Sequence, residues 1–238
     1  MSGRKLLRGV TRCLEYLLAP GVCLGCGCDP GNSGSLCETC GDRIARVPNP
    51  CRYCGMPNPI EGLICPACRL NPPAWQKMIA PLEYTGITRE YLLQLKRSEE
   101  IYLAECLCRQ ALPSFTGSWP RPQALLPVPL HRDRLLERGY NQAREIARIC
   151  SAELDVPVDR HSLSRVRATP PQSGLGAVQR KTNVRQAFAC STRRDYRHVA
   201  VVDDIVTTGS TVAEIARLLH RAGVEHVEIW ALARAYRR

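Results

Sequence analysis

Eight cysteines of the chain fall into four Cys-x2-Cys pairs, Cys23/Cys26, Cys37/Cys40, Cys51/Cys54 and Cys65/Cys68, with ten residues between each pair and the next. Two residues between thiols allow both sulfurs to turn onto one ion, and two such pairs make a tetrahedral thiolate site for Zn2+. Gly25, Gly27, Gly41 and Gly55 stand beside these thiols, as expected where backbone N–H groups approach sulfur. Four thiolates leave no coordination position for water, so the chemistry expected of such a site is structural. Eight thiols suffice for two ions. The equal gaps choose neither between neighbouring and alternate pairs nor between one and two loaded sites. Iron–sulfur clusters use other spacings, and disulfides conflict with a reducing compartment.

A second segment carries different chemistry. In Val199-Ala-Val-Val-Asp-Asp-Ile-Val-Thr-Thr-Gly-Ser-Thr211 an apolar strand ends in two carboxylates, and a turn of small hydroxyl residues around Gly209 opens into a helix. The unpaired N–H groups and the positive dipole end of that helix favour one phosphate group. The hydroxyls of Thr207, Thr208, Ser210 and Thr211 add donors, and Gly209 lets the backbone come close. Asp203 and Asp204 would repel a phosphate, so their expected targets are sugar hydroxyls. A phosphorylated ribose meets both demands.

The elements that must position these residues alternate. Apolar patterning predicts strands over 78–85, 123–129, 161–167, 198–203 and 226–233, and helices over 88–97, 101–112, 141–152 and 208–222. Such alternation implies an α/β fold with a mostly parallel sheet. Residues 20–75, rich in Cys, Gly, Pro and Asn, form a double zinc-ribbon-like module too small for a core of its own, which needs a metal as its staple. Leu6, Val10, Leu14, Leu17 and Leu18 predict an amphipathic helix over 1–19.

Composition bounds the rest. The 238 residues are 45% hydrophobic and 23% charged, enough to bury a core. The net charge of +11 favours polyanionic partners. No run of eighteen apolar residues exists, so no membrane insertion is expected. The basic amino-terminal stretch is interrupted by Thr11, Arg12 and Glu15, which argues against a secretion signal and for a cytoplasmic location.

The segment at 199–211 resembles the phosphoribosyl pyrophosphate (PRPP) loop of type I phosphoribosyltransferases. Together with Leu126-Pro-Val-Pro-Leu130, Arg138-Gly-Tyr-Asn-Gln142, Thr169-Pro-Pro-Gln172 and Arg180-Lys-Thr-Asn183, it makes the chain similar to the ComF/GntX-like family from about Cys23 onward. That resemblance implies a type I phosphoribosyltransferase-like domain over 76–238 behind the zinc module, PRPP bound with Mg2+, and an association with DNA uptake and utilisation. Asp203 and Asp204 would hold the ribose hydroxyls, Thr207, Thr208, Gly209, Ser210 and Thr211 the 5′-phosphate. Arg138, Arg180, Lys181 and Lys96 would face the pyrophosphate, with a salt bridge to Glu137 or Glu145 as the plain alternative for Arg138 and an exposed helix end for Lys96. Phosphoribosyl transfer to an acceptor is the implied reaction, and no segment reads as a nucleobase pocket. The alternative is a PRPP-responsive accessory protein without turnover that binds single-stranded DNA or proteins of the uptake machinery. Its support is the stretch from Arg165 to Arg197, with eight Lys or Arg and one acid.

Overall fold

The computed structural model describes residues 22–31, 35–60, 63–97, 100–117, 120–168, 186–191 and 195–236. The expected amphipathic helix over 1–19 and the candidate cations Arg180 and Lys181 lie outside these residues. Four strands read as strongly apolar: β1 (Lys77–Ile79), β3 (Ala124–Pro127), β6 (His198–Val206) and β7 (His226–Arg234). They form a sheet in the order β1-β7-β6-β3, every pair parallel, with β2 (Leu82–Glu83) also pairing with β7. The single strand expected over 78–85 is thus two. Pro81 stands between them and has no N–H to give to the ladder.

Side chains alternate across the central strands, as the pleat requires. Val199 and Val201 of β6 join Val227, Ile229 and Ala231 of β7 in one apolar layer. Ala200 and Val202 join Trp230 and Leu232 in the other. The second layer is covered by α3 (Gly86–Leu95), α4 (Ile101–Thr116) and α6 (Gln142–Leu154). The first is covered by α7 (Ser210–Arg221) and by the antiparallel hairpin of β4 (Leu163–Arg165) and β5 (Phe188–Cys190). Both faces buried is the arrangement a parallel sheet demands. Helix α4 runs past the expected end at 112 and through Pro113, because buried Phe115 stacks on Trp230 at 4.9 Å and holds the last turn down.

The thiol-rich segment is not a free-standing appendage. Its two one-turn helices, α1 (Glu38–Asp42) and α2 (Pro66–Leu70), each follow a cysteine, Cys37 and Cys65, at the cap position. Cys23, Leu36, Cys40 and Ile44 are buried in the layer under α4, while Trp75 and Met78 belong to the layer under α7. No helix among the described residues is long and apolar enough to cross a membrane.

Candidate functional site

At the carboxyl ends of β3 and β6 a cleft of about 500 Å3 opens, lined by residues from the turn after β6, from α6 and from the end of α3. This is where open α/β sheets place ligands. Strand β6 continues past Asp203 to Val206, so both acids lie inside the strand rather than after it. The reason is pairing: Ile205 and Val206 stay in register with Ala233 and Arg234 of β7. The helix begins at Ser210, two residues later than expected, because Gly209 takes a left-handed φ of 77° and serves as its cap. A Cβ at Gly209 would come within 3.2 Å of the Trp75 ring. Here the need for glycine comes both from the dihedral and from a neighbour. The hydroxyls of Thr208 and Ser210 are 2.8 Å apart, and Thr207 and Thr208 are exposed at the mouth of the cleft. First-turn N–H groups of α7 therefore point where the hydroxyls gather.

The two carboxylates are not equivalent. Asp204 pairs with Lys96 Nζ at 2.7 Å. Burial works to raise Asp204, but the Lys96 charge and hydrogen bond outweigh it and hold the carboxyl below its ordinary value. Burial also works against the charged Lys96, and Asp204 more than offsets it, leaving the ammonium above its ordinary value. Asp203 makes no such ion pair among the described residues. Burial, followed by the neighbouring Asp204 charge, pushes it well above the usual carboxylate range. One acid is thus held charged and the other held towards its neutral form, the division expected of adjacent buried carboxylates.

Arg138 and Lys96, expected at the pyrophosphate end, both line this cleft. The segment between the strand expected over 123–129 and the helix expected over 141–152, for which no element is expected, carries a short helix, α5 (Arg132–Arg138), capped by His131 and by Gly139 at φ 78°. It buries no residue, so no apolar period announces it. Neither Glu137 nor Glu145 takes the salt bridge considered for Arg138, since they pair with Arg134 and Arg148. Arg138 Nη1 instead donates to Gln142 Oε1 at 3.2 Å, and Gln142 Nε2 donates to the Leu95 carbonyl at 3.1 Å. The Tyr140 hydroxyl reaches the same carbonyl. Tyr140 and Gln142 therefore fix the end of α3 that carries Lys96. Asn141 Oδ1 caps α6 by accepting from Ala143 N at 3.0 Å.

Two supporting residues escape sequence reasoning. Buried Arg234 at the end of β7 donates to the carbonyls of Val206 (2.8 Å), Thr207 and Ala235 (2.9 Å), and through Nε to the Cys54 carbonyl at 2.7 Å. Trp75 packs under Gly209 and donates its Nε1–H to the Tyr53 carbonyl. Both tie the hydroxyl turn to the second thiol group across long stretches of sequence.

The thiols converge by neighbouring pairs, Cys23, Cys26, Cys37 and Cys40 in one group and Cys51, Cys54, Cys65 and Cys68 in the other. Thiolates on one tetrahedral Zn2+ at about 2.3 Å stand about 3.8 Å apart. Cys26 and Cys37 sulfurs are 3.7 Å apart, as are Cys54 and Cys65, so both groups fit such an ion. The N–H groups of Cys37 and Cys65 donate to the sulfurs of Cys23 and Cys51 at 3.2 and 3.3 Å. Burial raises Cys23, but the N–H groups of Cys37, Cys26 and Gly25 outweigh it and bring the thiol to about 6. Burial drives Cys40 up to about 12, so without a metal the fourth thiol holds its proton.

Residues 140–238 match the model of the phosphoribosyl transferase domain family. The chain is 34% identical to Competence protein F of Haemophilus influenzae, over 84% of this chain and 90% of that one. It is 35% identical to DNA utilization protein YhgH of Escherichia coli K12, over 92% and 99% of the two chains. The solved adenine phosphoribosyltransferase of Leishmania tarentolae superposes with a TM-score of 0.34 at 16% identity over 58% of this chain and 59% of that one, too loosely to add to the topology above.

Proposed function

This chain belongs to the ComF/GntX-like family, and from that premise we propose that it binds Mg-PRPP in the cleft after β6 and transfers the phosphoribosyl group to an acceptor. The observation that carries this reading is one juxtaposition. An acidic pair, a hydroxyl turn at a helix start, and the cations Lys96 and Arg138 all line the same cleft. Asp203 and Asp204 accept hydrogen bonds from the ribose hydroxyls, and the Thr207–Thr211 turn takes the 5′-phosphate. In the transfer step the bond between C1 and the pyrophosphate oxygen breaks, its electron pair leaves with pyrophosphate, and the acceptor forms the new bond to C1. Arg138 and Lys96 stabilise the charge that collects on the leaving group. Mg2+ is a hard ion held through carboxylates and substrate phosphates, which suits the oxygen donors of this cleft, and when bound it supplies charge neutralisation of the pyrophosphate. Zinc in the two thiol groups serves folding, and the protein works in the cytoplasm in the uptake or utilisation of DNA.

Calorimetric titration with Mg-PRPP tests the site. Replacing Asp203 and Asp204 together by Ala is expected to abolish binding with thiol-bound metal and circular dichroism unchanged. Retained affinity would refute the assignment. Pyrophosphate release with a panel of nucleobases then tests turnover. Salt-sensitive binding of single-stranded DNA, with PRPP bound but never consumed, would instead select an accessory role.

A further inference from the structure

At the opposite end of the sheet from the cleft lies a cluster that the phosphoribosyl reading does not use. His198 opens β6 and His226 opens β7, and the two are direct partners in the parallel register. Glu228 lies two residues beyond His226 and so on the same face. The rings of His198 and His226 meet edge-on with centroids 4.4 Å apart. Glu228 is only 2% exposed, and its Oε2 accepts the Trp230 indole N–H at 2.8 Å. Its other oxygen, Oε1, faces both imidazoles, 3.3 Å from His198 Nε2 and 3.7 Å from His226 Nε2. His198 Nε2 is fully buried and makes no hydrogen bond.

Those spacings are long for a charge-assisted hydrogen bond and close to those between ligands on one ion. Charge-assisted N–H···O contacts close to about 2.7–2.9 Å, which neither imidazole reaches. Ligand atoms sharing a tetrahedral ion at about 2.0–2.1 Å stand about 3.4 Å apart, between the two observed distances. A divalent cation at the focus of the three atoms would use the orphan Nε2 of His198.

We propose that His198, His226 and Glu228 form a metal site, separate from the thiol groups, for a borderline divalent ion such as Zn2+ or Co2+. Two imidazoles and one carboxylate select that class over Mg2+ or Ca2+. Trp230 is the outer partner that orients the carboxylate, as ligating groups usually require. His226 is 37% exposed at its side chain, which leaves the fourth position to water from the surface. Arg52 is near enough to be felt at His226, and its charge sets the expected affinity below that of the thiolate sites.

The test counts metal in the full chain, purified without a polyhistidine tag and dialysed to equilibrium against low-micromolar Zn2+. His226→Gln is expected to carry one equivalent per chain less than the unsubstituted protein. Glu228→Gln keeps an acceptor for Trp230 and is expected to lose the same equivalent, so the reading survives if one variant fails to fold. In a Co2+ titration the equivalent missing from both variants should show weak visible bands without the near-ultraviolet sulfur-to-cobalt charge transfer of the thiol groups. Equal metal content in the folded variants and the unsubstituted chain, or sulfur charge transfer on every equivalent, overturns the proposal.

Discussion

Asp203 and Asp204 sit next to each other in one strand yet are driven apart by one contact, the Lys96 ion pair. A raised Asp203 must lose its proton before it can offer a charged carboxylate to a sugar hydroxyl or a hard cation. Affinity for Mg-PRPP is therefore expected to fall as pH drops through the raised value of Asp203. Calorimetry across that range checks it, and Asp203→Asn should bind weakly with a flat profile. Asp159 gives the opposite sign in stability. Burial raises it, but the Ser162 hydroxyl at 2.6 Å, the N–H groups of His161 and Ser162 and the Tyr196 hydroxyl together bring it to about 2. A depressed acid contributes stability above its unfolded value and loses it on acidification. About 2 kcal/mol is expected to vanish between about pH 4 and pH 2. Denaturant melts should show that slope in the unsubstituted chain and not in Asp159→Asn. Neither inequality can be read from the sequence, because Lys96 and Asp204 are far apart in the chain and only the packing of α3 on the sheet brings them together. The identities Asp-Asp and Lys were legible; their division of labour was not.

The turn between β6 and α7 depends on what lies beneath it. Gly209→Ala must place an L residue at φ 77° and push against Trp75. About 1–3 kcal/mol of destabilisation is expected, with a weaker site for phosphate, measurable as a lower melting temperature and a higher Kd for PRPP. Arg234→Met removes the fork that satisfies the carbonyls of Cys54, Val206 and Thr207. The Cys54 carbonyl, with no other donor among the described residues, then costs about 1–3 kcal/mol, while Val206 keeps the Ala235 N–H at 2.9 Å, so a loss of a few degrees in Tm should accompany the weaker PRPP binding. Arg234→Lys should rescue little, since a point charge cannot serve four carbonyls at once. The strand, the acids and the glycine of this unit follow from local pattern, apolar run then turn then helix. Helix α5 does not, because a surface helix with no buried face has no period to find. Trp75 and Arg234 do not either, because Trp75 lies 134 residues from Gly209 and Arg234 lies 180 residues from Cys54.

Whether the thiol segment is a separate module is decided by where its buried side chains go. Composition marks a break near residue 76, and a metal staple for so small a segment follows from its lack of apolar residues. Apolar contacts cross that break in the folded chain. Cys23, Cys40 and Ile44 share one apolar layer with α3, α4 and Trp230, and Trp75 and Met78 share the other with α7. Backbone bonds cross as well, from Met78 N to the Arg52 carbonyl at 2.8 Å and from Glu83 N to the Ala45 carbonyl at 2.8 Å. A metal ion held by Cys51, Cys54, Cys65 and Cys68 would thus fix the Cys54 carbonyl on which Arg234 leans, and through Arg234 the hydroxyl turn. Folding energy from the metal should therefore be spread over the whole molecule rather than confined to the ribbon. Replacing Cys51 and Cys54 by Ser is expected to lower a single cooperative melting transition and to raise the Kd for Mg-PRPP, although neither cysteine touches the cleft. Scanning calorimetry of the unsubstituted and substituted chains, each with and without PRPP, makes the comparison. Two separate transitions, with the PRPP-stabilised one unmoved by loss of the thiols, would mean that the contacts across residue 76 carry no energy. The ribbon would then be a tethered neighbour of the cleft instead of its foundation.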